Sequence, residues 1–323
     1  MAKRIYLALA IHNHQPAGNL DYVFEDAYRL AYEPMVAALE RHPYVRLALH
    51  YTGPLRDWLA VHHPDFLARI RALATRGQVE MMTGGYYEPI LASLPDADKL
   101  GQIRKLSEAV QADYGVVPTG LWLAERVWEP HLPLPLARAG IEYTIVDDTH
   151  FKAVGLDDQD LLGYYVTEEQ GYTVKIFGNS KPLRYAIPWA AVDKVIDYLR
   201  SEATEEGIRV AVMGDDGEKF GLWPGTHELC WQKGWMERLF AALQENAAWL
   251  HLLTPGEYAR HFPSLGRIYL PTASYDEMDE WSLPAQPSWE LGHLKRRLKA
   301  EGQGEVLRFV RGRFWRSFLV KYP

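Results

Sequence analysis

Acidic and imidazole side chains recur in this sequence where short apolar runs end. The run Leu121 to Ala124 breaks into Glu125 and Arg126, and a run ending at Met213 breaks into Gly214, Asp215, Asp216, Gly217 and Glu218. His12, Asn13, His14 and Gln15 close another run, and His50 closes a further one. Glu80 lies within a run that precedes Tyr86, Tyr87 and Glu88, and Asp147, Asp148 and His150 come after yet another. Two carboxylates suffice for glycosidic-bond chemistry. One attacks the anomeric carbon and the other protonates the leaving oxygen, and in retaining enzymes they stand roughly 5–5.5 Å apart. Glu125 and Asp216 are the best-placed pair, because glycines on both sides of the second acid let the backbone turn sharply. Each has an ordinary alternative: Glu125 could pair with Arg126 at a strand edge, and Asp215-Asp216-Gly217 could be a turn or helix cap. The imidazoles open a different chemistry. His12, His14, His50, Asp147 and His150 are N/O donors of the kind that hold a metal in a hydrolase or deacetylase.

The elements that must position these groups emerge from the apolar pattern. Strands are expected at 4–11, 45–50, 78–83, 120–124, 142–146, 208–213 and 249–253, with helical periodicity between them. Parallel strands need such crossover connections, so the alternation predicts a parallel sheet, closed as a barrel or open and doubly wound. Polar residues gathered at one end of successive strands are the pattern of a barrel active site. Residues 164–178 read as a β-hairpin turning near Gly171, part of an insertion at about 151–187. The expected division is a barrel over 1–260 and a less regular C-terminal segment over 261–323, ending in a helix at about 304–320.

Composition narrows the partners. The chain has 323 residues, a net charge of -7 and a pI near 6.0, and no basic stripe, so no nucleic-acid partner is expected. Neither GxGxxG nor GxxxxGK[ST] occurs, so nucleotide binding has no support. The apolar run at the start is too short for a secretory signal or a membrane span, which makes a cytoplasmic protein the default expectation. The lone Cys230 excludes an intrachain disulfide and a cysteine zinc cluster. Homo-oligomers stay open, and the richness in Arg, Leu, Ala and Pro hints at a heat-tolerant source. The 11 Trp, 19 Tyr and 10 Phe could be core packing or flat platforms for sugar rings; Trp223, Trp231 and Trp128 are the candidates for stacking.

Four segments in order, HNHQP at 12–16, GQVEMMTGGYYEP at 77–89, WLAERVWEP at 122–130 and GDDGEKFGLWPGT at 214–226, resemble glycoside hydrolase family 57, above all its 4-α-glucanotransferases and α-amylase-like members. The similarity runs from about residue 5 to the end, where RGRFWRSFLVKYP is also family-like. The resemblance implies a (β/α)7 barrel, a distorted TIM-like fold, acting with retention on an α-1,4-glucan or maltooligosaccharide. It places the nucleophile on Glu125 and the acid/base on Asp216, and it places His14 and Glu80 against the sugar at the cleavage point and Trp223 on the acceptor side. His12, Asp215 and Glu218 lie in the same motifs as supporting candidates. No metal and no cofactor is implied. Family members usually carry a C-terminal β-sandwich domain, which is not expected in this chain. A catalytically silent glucan-binding barrel is the non-enzymatic alternative.

Overall fold

The computed structural model describes residues 3–312 and 314–318. Among the described residues ten strands form two five-stranded sheets. The first sheet contains β1 (Ile5–Asn13), β2 (Leu47–Tyr51), β3 (Val79–Met81), β8 (Val210–Asp216) and β9 (Leu250–Leu252), all parallel. The second runs in the order β10 (Gly266–Arg267), β6 (Tyr164–Glu169), β7 (Tyr172–Asn179), β5 (Tyr143–Asp147), β4 (Gly120–Leu121). It is parallel except for the β6–β7 hairpin. β8 pairs along β1 from Tyr6 to His12, so β2 and β9 share the other edge, β2 taking the last residues and β9 the first three.

Two seams join the sheets into a ring of seven strands without a continuous ladder. At one, Thr83 bridges to Leu121. At the other, the buried Asn179 amide exchanges two hydrogen bonds with the backbone of Gly214, at 2.8 and 2.9 Å, and the Ser180 N–H donates to Val212 O at 2.7 Å.

Alternation along the strands decides what faces the ring interior. Ala8, Ala10, Ala48, Met82, Trp122, Tyr143, Ile145, Phe177, Val210 and Val212 meet there, contributed by both sheets. The residues of opposite parity, such as Leu7, Leu9, Ile11, Leu47, Leu49 and Met213, pack outward against Met35, Leu39, Leu55, Ile70 and Leu239 of the surrounding helices. Small alanines inside and branched residues outside make β1 a strand buried on both faces, which is why it reads as one continuous apolar run.

Three expectations change. The hairpin turns at Gln170 and Gly171, both with positive φ as a tight type I′ turn requires. Its second strand, however, is built into the second sheet beside β5 instead of standing apart as an insertion. The fourth strand shrinks to Gly120–Leu121, and the chain enters a 3-10 turn at Ala124–Arg126. At the C-terminus the helix is Ala285–Ala300, followed by a 3-10 segment at Gly304–Phe309, so no helix spans 304–320 among the described residues. Arg313 and 319–323 of RGRFWRSFLVKYP lie outside them. Trp315 is buried with Trp128 in a second core cluster, and Arg316 pairs with Glu129 at 3.0 Å.

Candidate active site

The interior parity that ends β1 at Ala8 and Ala10 continues to His12. His12 is the register partner of His50 on β2 and of Asp216 on β8. Three polar side chains therefore form one layer above Ala10, Ala48 and Gly214, and the His12 ring lies flat on Trp122, with centroids 4.7 Å apart and planes 9° apart. His12 Nδ1 and His50 Nδ1 lie within hydrogen-bonding distance, at 2.8 Å. On its other side His12 Nε2 meets Glu88 Oε1 at 2.7 Å, and the second oxygen of Glu88 contacts His14 Nδ1. Burial works against a charged His12, yet the carboxylates of Glu88, Asp216 and Glu218 outweigh it and raise its pKa to about 8. Burial also opposes the Glu88 carboxylate, but the two imidazoles hold it well below the usual range. His50, buried beside a charged ring, is driven neutral.

Glu125 is presented from the opposite sheet. The 3-10 turn after β4 holds Glu125 at φ 53° and Arg126 at φ 47°, the left-handed region that costs a non-glycine residue roughly 1–3 kcal/mol. Several contacts hold this conformation. Ser274 Oγ donates to Glu125 O at 3.0 Å, and His150 Nε2 meets Arg126 O at 2.9 Å. The buried Arg126 guanidinium sits over the rings of Trp122 and Tyr275. The Glu125 carboxylate faces the cleft, and the Tyr275 hydroxyl donates to its Oε2. Burial and that carboxylate hold the phenol proton far above its ordinary range, so Tyr275 is the donor.

Glu125 and Asp216 line one cavity of about 410 Å³, together with His12, His14, Glu88, Glu218 and Trp223. They also share a recess of about 80 Å³ behind it, walled by Trp122, Arg184 and Tyr275. Glu218 is enclosed: the Tyr32 hydroxyl and the His14 backbone N–H, the latter at 2.9 Å, both donate to its Oε1. Burial raises its pKa to about 7, with His12 and Tyr32 opposing.

The structure divides the residues singled out in the sequence. Glu125, Asp216, His12, His14 and Trp223 meet at the cavity. Glu80 does not, and its placement against the sugar is corrected. It lies low in the ring interior, where Tyr143 Oη donates to it at 2.8 Å and Gly256 N at 3.0 Å, and it lines a separate hollow with Arg46, Gly77 and Arg260 at the other end of the strands. The acid that reaches the site is Glu88, eight residues on, past the end of β3. Asp215 is corrected too. Its outward parity buries it completely, paired with Lys219 at 2.5 Å and Arg184 at 3.5 Å, so it supports the loop from behind. Trp128 is buried in the core, and Trp231 is tied by its indole N–H to Phe220 O, which leaves Trp223 of the three at the cavity.

The five-ligand metal reading fails at its far end. Both ring nitrogens of His150 are bonded to backbone carbonyls, and Asp147 caps the turn at Thr149 and lies about 4 Å from Arg126 and Arg184. Among the described residues only His12, His14 and Glu88 bring ligand atoms within 4.8 Å of one another, and they pair among themselves. Burial and the neighbouring Asp147 push the Asp148 carboxyl up, so the proton of that pair sits on Asp148. Tyr275, Arg184 and Tyr32 are the site residues that strand-end reasoning left out, and Glu88 was listed there after the third run without being given a role. Glu88 was within reach, since it stands in the segment GQVEMMTGGYYEP; Tyr275 carries no local signal.

The sequence model of glycosyl hydrolase family 57 matches residues 2–271. The alpha-amylase 1 of Dictyoglomus thermophilum is 46% identical over 323 residues, covering 100% of this chain and 47% of that protein. The 4-alpha-glucanotransferase of Thermococcus litoralis is 44% identical, covering 99% of this chain and 49% of its own. Its crystal structure superposes with a TM-score of 0.96 over 100% of this chain and 50% of that one. The chain spans about half the length of these relatives.

Proposed function

The chain belongs to glycosyl hydrolase family 57, and from that premise we propose that it cleaves α-1,4-glucosidic bonds with retention, as a 4-α-glucanotransferase, with α-amylase-type hydrolysis as the other outcome of the same intermediate. The observation that carries this reading is that Glu125 and Asp216, delivered by different sheets, line a single cavity with the half-exposed Trp223 at its edge.

Glu125 attacks the anomeric carbon and forms a glycosyl ester while Asp216 gives its proton to the departing oxygen. In the second step an acceptor hydroxyl attacks the same carbon, Asp216 takes its proton, and the ester bond to Glu125 breaks. A sugar 4-hydroxyl as acceptor gives transfer; water gives hydrolysis. Tyr275 donates to the nucleophile and His12, charged near neutrality, faces the same cavity, so both are available to position the sugar. A cytoplasmic setting, freedom from cofactors and the option of a homo-oligomer belong to this proposal. Among the described residues no helix is long and apolar enough to cross a membrane.

Glu125→Gln and Asp216→Asn are each expected to abolish turnover of maltotriose with circular dichroism unchanged. Wild-type turnover in either variant overturns the assignment. Products longer than maltotriose mark the transferase, and glucose and maltose alone mark the hydrolase. One observation favours a second proton donor: Glu218, with its pKa near 7, keeps its proton close to neutrality. If Glu218→Gln, and not Asp216→Asn, removes turnover, the acid/base role moves to Glu218.

A further inference from the structure

Beyond the cleavage cavity lies a hollow of about 220 Å³ that takes no part in the chemistry above. It shares two walls with the site: Trp223 lines both it and the main cavity, and Arg184 lines both it and the recess behind Glu125. Its wall is aromatic and exposed. Trp189 is 49% exposed and Trp223 37%, and their rings lie nearly parallel, 5.8 Å apart between centroids with planes 26° apart. Tyr185 continues the wall, its hydroxyl fixed to Glu277 Oε1 at 2.9 Å.

The exposure is not slack packing. Trp189 rests on the ammonium of Lys219, 4.6 Å from the ring centroid. That ammonium is itself buried and held by Asp215 and the carbonyl of Arg184. A cation seated beneath an indole fixes the ring's orientation, and here the ring keeps half its surface open to solvent. A held, half-exposed run of rings beside a catalytic cavity offers flat apolar faces to the C–H faces of a saccharide.

The loop also fixes the direction. Asp216, Lys219 and Trp223 lie on one stretch of eight residues. The wall is therefore tied to the group that protonates the departing oxygen, which is the side where the leaving chain departs and the acceptor arrives. Resting on the proposed function, we propose that Trp189, stacked against Trp223 and supported by Lys219, forms an outer acceptor-side subsite for an α-glucan chain, one ring beyond the sugar that sits on Trp223. The feature sets acceptor length and leaves the bond-breaking step alone.

The test uses the 323-residue chain with Trp189→Ala and Trp189→Phe. With a fixed donor, the KM for acceptors is measured from glucose through maltose to maltotetraose. Trp189→Ala is expected to raise the KM of maltotriose and maltotetraose by about tenfold, the factor one good ring contact supplies, and to leave glucose as acceptor within about twofold. Trp189→Phe is expected to recover most of the loss. A KM change equal at all lengths, or none at any length, overturns the proposal. Binding of the same saccharides to Glu125→Gln, measured by calorimetry, separates this from failure of the catalytic reading. Should the wild-type chain make no product, that reading fails, yet affinity that grows with chain length and stops growing in Glu125→Gln/Trp189→Ala still supports the subsite. Affinity whose length dependence survives Trp189→Ala overturns it.

Discussion

Replacing Glu88 by glutamine removes the charge that makes His12 cationic, and the geometry sets the size of the effect. His12 Nε2 is 2.7 Å from Glu88 Oε1. The pKa of the buried ring is raised from 6.5 to about 8. At roughly 1.36 kcal/mol per unit, a rise of about 1.5 units corresponds to about 2 kcal/mol of folding free energy. The folded state holds the proton more tightly than the unfolded chain, so this stabilisation is complete below pH 6.5 and drains away as pH rises through about 8. The groups facing His12 are Glu88, Asp216, Glu218, His14 and His50. Glu88 itself titrates far below this window and His50 stays neutral throughout it, while Glu218, with its pKa near 7, titrates inside it in both proteins and largely cancels in their difference. In Glu88→Gln, burial regains the upper hand, His12 loses most of its upward shift, and the decline between about pH 6.5 and 8 shrinks. The assay is urea unfolding of both proteins at intervals from about pH 6 to about pH 9, read as the difference between them. Wild type is expected to exceed the variant in stability at the acidic end by about 2 kcal/mol more than at the alkaline end. A difference that stays constant across the range refutes the reasoning, because His12 would then owe its charge to something other than Glu88. Turnover of maltotriose should fall in the same variant, since a neutral His12 no longer balances Asp216.

Tyr275→Phe removes the hydroxyl bonded to Glu125 Oε2; a hydrogen bond to a charged group contributes about 1.5–3 kcal/mol, so kcat on maltotriose is expected to fall roughly 10- to 100-fold while the melting temperature barely moves. Glu80→Gln is expected to leave kcat/KM unchanged and to lower thermal stability by about 1–3 kcal/mol, because it weakens the acceptor that satisfies the buried Tyr143 hydroxyl and Gly256 N–H. Gly221→Ala should fold poorly and lose turnover together, measured by soluble yield and melting temperature: a Cβ there would fall inside contact distance of the Leu30 carbonyl oxygen, which is backbone and has little room to give.

The parts of this molecule that obey a short period were legible in its sequence. β1 and β8 alternate strictly, so the layer containing His12 and Asp216 could be anticipated from apolar runs that end in polar groups. The same alternation, applied one residue further, would have turned Asp215 outward. Glu80 was misplaced for a related reason. It has interior parity, but it stands beside Ala48 and Ala10, one layer below His50 and His12, and a polar residue inside a strand resembles one at its end until the register is known. The hairpin's second strand looked like an insertion because pairing partners are chosen across space; nothing local says that β7 lies beside β5. The helix Ala285–Ala300 buries no residue, so it has no apolar stripe to read. Tyr275, 150 residues from the carboxylate it serves, belongs to the same class of long-range facts.

The two seams carry a consequence for how such a cleft can be altered. Its two key acids ride on separate rigid plates, Glu125 on the one ending in β4 and Asp216 on the one ending in β8, and each plate is braced by its own ladder of backbone bonds. Along their edges the plates are joined by a short bridge at Thr83 and the clasp of Asn179 on Gly214, two residues before Asp216. Spacing is thus open to adjustment at the fasteners, and a small change of side chain at position 179 could slide one plate against the other while both stay intact.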